Sequence, residues 1–191
     1  MSLPANKDLG TLTNGDLRDI FDIIHSANCN VSRDEMQGQV LRSLQKTFRA
    51  EGAVFFLGDR ESGTIDNGSM TGVGIDPRYH ERWVRYYCRH DPFQQDRPLT
   101  GEVCKVDDIL PYKRWVNLKV YNEFYRPQNI HYKLSLYLRS GERVLGLIGM
   151  FRSKQQQDFS RSDLAKARIL VPHLTAAIEN TLRFRELLSP F

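Results

Sequence analysis

Residues 131–152, HYKLSLYLRSGERVLGLIGMFR, restrict the possible folds more than any other stretch of the chain. Leu134, Leu136 and Leu138 alternate with Ser135, Tyr137 and Arg139, the period-two pattern of a strand with one apolar face. The segment RSGER turns the chain. The return run, residues 144–151, is apolar on both faces, so it belongs mid-sheet with cover on both sides. Gly146 and Gly149 within it predict close approach by a neighbouring group.

The other elements fit around this hairpin. In TNGDLRDIFDIIHSAN (13–28), Leu17, Ile20, Phe21 and Ile24 fall at i, i+3, i+4 and i+7, one stripe of an amphipathic helix. The capping box SRDE, with Ser32 at the N-cap and Glu35 three residues on, opens a second helix whose buried face carries Met36, Val40, Leu44 and Phe48. AVFFLGD (53–59) reads as a buried strand, and DRESG turns it into a weaker strand over 64–69. A third helix starts at Asp76-Pro77, with Asp at the N-cap and Pro at N1, and runs to Pro92. An irregular stretch follows, with a short strand at EVCKV and helical turns at YKRW and KVYNEFY. The last helix, 161–187, is introduced by Phe159 and Ser160, capped with Asp163 and stapled to Leu164. It contains Pro172, which predicts a kink. At about 1.5 Å per residue it spans on the order of 40 Å, more than a compact body of this size requires. Hairpins without a βαβ repeat predict an α+β fold: a mainly antiparallel central sheet with helices on its faces.

Composition removes several function classes. The chain has 191 residues, 40% hydrophobic and 26% charged, enough for a full core. No apolar stretch reaches about 18 residues, so no membrane span is expected. MSLPANKDLGTLTNG shows neither the basic nor the apolar region of an export signal. Three cysteines without ligand-like spacing, Cys29, Cys88 and Cys104, read as reduced thiols, and the expected location is cytoplasmic. The net charge of +4 is dispersed, with no basic run and no zinc-finger, RNP-type or basic-zipper pattern. His90, His131 and His173 lack metal-ligand spacing. No G-x-S-x-G, Walker loop or HExxH occurs, so neither catalysis nor a cofactor is expected.

The candidate site is RWVRYYCRHDPF (82–93). Trp83 and Tyr87, at i and i+4, share a helix face, which reads first as core packed on the sheet and second as the aromatic wall of a pocket. Phe93 lies just past the helix end. Asp91 is either a turn residue before Pro92 or an acceptor for a ligand N–H or hydroxyl at the pocket rim. Trp115, in the irregular stretch, would cover the opposite side.

Taken in order, Asp91-Pro92 after an aromatic helix, Trp115, the E-F-x-x-P-x-x-I run from Glu123 to Ile130, LGLIGMFR, FSRSDL and the PHL at Pro172–Leu174 resemble the N-terminal sensory region of LuxR-type transcription regulators. The likeness spans roughly residues 33–182. It implies a GAF/PAS-like α/β/α sandwich with its pocket between sheet and insertion. Trp83, Tyr87, Asp91, Phe93 and Trp115 would bind an unidentified small molecule. In the autoinducer-binding branch of that family, the spacing between the positions of Tyr87 and Asp91 is longer. The resemblance further implies a homodimer that meets DNA only through a C-terminal helix-turn-helix, which nothing after Arg185 resembles. The expected organisation is an N-terminal dimerisation helix (1–30), a sensory core (31–160) and a long helix (161–191) leading towards that output part.

Two other functions remain compatible with these residues. One is a dimerisation and interaction module with a filled pocket. The other is a small GAF-type thiol reductase using Cys88 and Cys104.

Overall fold

The computed structural model describes residues 10–29, 33–59, 61–94 and 102–188. Two helices, α1 (Asn14–Asn28) and α2 (Arg33–Thr47), precede strands β1 (Gly52–Gly58) and β2 (Ile65–Val73). Helix α3 (Arg78–Arg85) and a 3₁₀ turn (Tyr87–His90) lead into an insertion holding β3 (Val103–Lys105), α4 (Val106–Ile109) and α5 (Tyr112–Trp115). A π-helical turn (Tyr121–Tyr125) and a 3₁₀ turn (Arg126–Gln128) complete the insertion. The hairpin β4 (Tyr132–Ser140) and β5 (Arg143–Arg152) and helix α6 (Arg161–Leu188) close the chain.

All strand pairs are antiparallel, in the order β2-β1-β5-β4-β3. The doubly apolar strand β5 is therefore central, as its composition requires. Gly141, with φ +60°, makes the tight β4–β5 turn in a conformation that side chains disfavour.

Strand alternation divides the interior in two. Ala53, Phe55 and Leu57 of β1, with Leu134, Leu136, Leu138, Ile148 and Met150, face a core built from α1, α2 and α6. Val54, Phe56, Tyr137, Leu147 and Phe151 face the second cluster, which contains α3 and the insertion. Helices thus cover both faces of the sheet. The close approaches at the glycines come from the protein itself: a Cβ on Gly146 would lie 2.9 Å from the Phe55 ring, and one on Gly149 would lie 3.1 Å from Val54 Cγ2.

Several boundaries differ from the sequence reading. Helix α1 buries Ile20, Ile23 and Ala27, whereas Leu17 and Phe21 of the expected stripe remain 39% and 68% exposed. The face chosen by packing includes small Ala27, which a count of large apolar residues overlooks. Thr13 and Asp16 form the α1 capping box, while the proposed cap Ser32 lies outside the described residues. Strand β2 continues to Val73 because Thr71, Gly72 and Val73 pair with β1 beyond a bulge. At that bulge Ser69 Oγ accepts the Leu57 N–H at 2.8 Å. Ser160 and Asp163 cap α6 as expected, and the helix is continuous through Pro172.

Candidate ligand site

Helix α3 begins with Asp76 Oδ1 accepting the Arg78 N–H at 3.0 Å. It then ends at Arg85, well short of Pro92. Tyr86 leaves helical geometry with φ −140°. Two side chains take carbonyls that a continuing helix would offer to its own N–H groups: Cys88 Sγ donates to Val84 O at 3.4 Å, and His90 Nδ1 lies 2.9 Å from Tyr86 O. Trp83 and Tyr87 nevertheless converge. Both rings pack on Phe124, at centroid distances of 5.0 and 5.2 Å.

The insertion closes over them. Its π-helical turn buries Tyr121, Phe124 and Tyr125 together, an irregularity often found at functional sites. Trp83 Nε1 donates to Asn67 Oδ1 of β2 at 3.1 Å, which fixes the indole against the sheet.

Asp91 lies elsewhere than at the rim. It is wholly buried, and both of its oxygens are engaged by the protein. Oδ1 accepts the Phe93 N–H at 3.0 Å. Oδ2 accepts the Tyr125 hydroxyl at 2.5 Å and Lys133 Nζ at 2.8 Å. Lys133 Nζ also donates to Tyr125 Oη at 2.8 Å and lies 4.0 Å from the centre of the Phe93 ring. Burial pulls the Lys133 ammonium below its ordinary value while Asp91 opposes the shift. Burial and the adjacent carboxylate push the Tyr125 hydroxyl well up, so it remains a donor. Pro92 keeps Asp91 extended (φ −83°, ψ 119°), which turns its carboxylate inward towards β4.

A cavity of about 30 Å³ lies between this cluster and the sheet; counted with its open mouth, the empty space is about 480 Å³. Val54, Phe56, Leu147 and Phe151 form the sheet wall, and Trp83, Tyr79 and Phe124 face them. Of the expected site residues, only Trp83 lines this cavity. Tyr87 stands behind Phe124, with its hydroxyl donating to Glu123 at 3.0 Å. Trp115 packs behind Tyr125 and Phe93, at 5.2 and 5.7 Å. Phe93 borders a separate groove beside Tyr137 and Arg139.

The polar wall was not anticipated. It comprises Lys133, Ser135, His80, Gln94, Asp76 and Gln128. Lys133 and Ser135 occupy the polar positions of β4, on a face that reads as solvated until the insertion is seen to cover it. The aromatic richness of the insertion was the available signal. A strand covered on both sides must pair its polar residues or present them to a site. Among the described residues, no group of three or more His, Cys, Asp or Glu is placed to hold a metal ion. Nor is any described helix long and apolar enough to cross a membrane.

No protein-family model and no curated protein sequence matches the chain. Solved structures match its architecture. The VqsR LBD domain from Pseudomonas aeruginosa superposes with a TM-score of 0.63 at 15% identity, over 90% of this chain and 99% of that one. The GAF domain of an Acinetobacter phosphoenolpyruvate-protein phosphotransferase gives 0.57 at 13% identity, over 90% and 97%. The GAF domain of a putative sensor histidine kinase from Pseudomonas syringae pv. tomato gives 0.59 at 14% identity, over 91% and 92%. This is a GAF fold. In GAF terms, the cavity lies between the sheet and the cover formed by α3 and the insertion.

Proposed function

We propose that this GAF domain is the ligand-sensing regulatory part of a LuxR-type transcription regulator, and that occupancy of the Trp83 cavity controls dimerisation or DNA binding by a helix-turn-helix carried elsewhere. The observation that carries this reading is the cavity itself, walled by aromatic and aliphatic side chains with a few inward polar groups. The likeness to the VqsR LBD domain supports it. A non-catalytic role accords with the thiols: Cys88 and Cys104 are buried, and burial pushes the Cys88 thiol up, away from the reactive thiolate.

Native mass spectrometry of the purified chain tests the proposal. The expected result is a bound small molecule, taken up from a metabolite extract, that raises the melting temperature. Its absence, with an unchanged melting temperature, would favour a second reading, an interaction module without a ligand. The small volume of the cavity, about 30 Å³, supports that reading, since it admits roughly two water molecules.

A further inference from the structure

Among the described residues, six buried side-chain nitrogen or oxygen atoms lack a hydrogen-bond partner. Three of them, His80 Nε2, Gln94 Oε1 and Ser135 Oγ, belong to residues lining the Trp83 cavity. Ser135 is wholly buried on β4, paired with Gly149 of β5, and both residues line the cavity. A buried polar atom without a partner destabilises the free protein, so its retention at one place calls for a partner that arrives there.

The charges around the cavity restrict that partner. The wall holds one lysine and one aspartate, and both are already matched: Lys133 by Asp91 at 2.8 Å and Asp76 by Arg78 at 2.6 Å. A carboxylate or phosphate entering the cavity would add a net charge that the apolar walls cannot solvate, and a cation would meet Lys133. Asp91 does not line the cavity, and its carboxylate is held by Phe93, Tyr125 and Lys133. The flat faces of Trp83, Phe124 and Phe56 suit a ring. At about 30 Å³ the closed space is too small for a ring, so the wall must open to admit one, and Met70, partly exposed and unbranched, is the residue best able to move aside.

Resting on the sensory reading above, we propose that the cavity takes a small uncharged ring compound bearing both a hydroxyl and a carbonyl group. The ligand hydroxyl donates to Gln94 Oε1, and Ser135 Oγ donates to the carbonyl. His80 Nε2 completes the polar wall. Lys133 and Asp91 hold the wall in place and do not read the ligand.

Titration calorimetry on the full chain, with para-hydroxyacetophenone, acetophenone, para-hydroxybenzoate and toluene as probes, tests this. The hydroxyketone should bind about tenfold or more tightly than acetophenone or the benzoate, the factor expected from one additional hydrogen bond. Ser135→Ala and Gln94→Met should each weaken it by up to about tenfold. The melting temperature of free Ser135→Ala should hold or rise, because an unpartnered hydroxyl is removed. Tightest binding by the benzoate, or equal affinities of wild type and Ser135→Ala, would overturn the chemical class and leave the cavity standing as a binding site. If neither toluene nor the hydroxyketone binds at millimolar concentration, water fills the cavity, and the sensory reading falls together with this proposal.

Discussion

At the scale of single residues, the Asp91–Lys133 pair decides how the aromatic side of the sheet is held. Both side chains are almost wholly out of water, at 0% and 4% exposure. Removing one charge would strand the other, which typically costs about 3–5 kcal/mol. Asp91→Asn should therefore lower stability by about that amount in urea denaturation, and Asp91→Leu combined with Lys133→Met should recover most of it. Full stability of Asp91→Asn alone would show that the pair contributes nothing. His131 makes a second residue-scale prediction. Its ring lies between the hydroxyls of Tyr121, 2.8 Å from Nδ1, and Tyr112. Burial, then Lys154, pulls its pKa below the ordinary 6.5, with Asp158 opposing. The folded chain thus takes up this proton less readily than the unfolded one. The associated stability is present in full above about 6.5 and is lost progressively as pH falls from there to the lower folded value. Urea midpoints measured between about pH 7 and 5 should decline in the wild type and decline less in His131→Gln. Parallel curves would refute the assignment.

At the scale of elements, the chain reads well where local chemistry is self-sufficient and poorly where cover decides. The hairpin was legible because Leu134, Leu136 and Leu138 keep strand period and Gly141 takes the turn. The start of α6 was legible because Ser160 and Asp163 satisfy each other within four residues. The inner face of α1 and the role of β4's polar face were not, since both depend on what a distant segment places opposite them. Arg82–Phe93 was mixed. Its aromatics are buried as pattern suggests, yet the break at Tyr86 depends on the side chains of Cys88 and His90. Helix α1 is joined to α6 by an ion pair between Lys166 and Asp16 at 3.1 Å, and Asp16 also closes the cap on Thr13. Because the cap and the pair share one carboxylate, Thr13→Ala should loosen that end of α1. The expected loss is about 0.5–2 kcal/mol, seen as faster amide exchange over residues 14–28. Unchanged exchange there would mean that packing of Ile20 and Ile23 alone holds the helix.

At the scale of the whole molecule, Leu17 and Phe21 remain outside the core, and α6 continues past the buried Ile178 to Leu188. We expect these surfaces to meet in a homodimer burying on the order of 1,200 Å² or more. Sedimentation at tens of micromolar should show a dimer that Phe21→Glu converts to a monomer with an unaltered circular dichroism spectrum. A wild-type monomer under those conditions would exclude it. The unpartnered atoms of Ser135, Gln94 and His80 also bear on the fate of the chain inside a cell. A protein that carries such a deficit until its site is filled unfolds more often when empty, and quality-control proteases act on the unfolded fraction. Supply of the proposed ligand would then set how long each copy survives, and the proposed signal would be recorded as abundance as well as conformation.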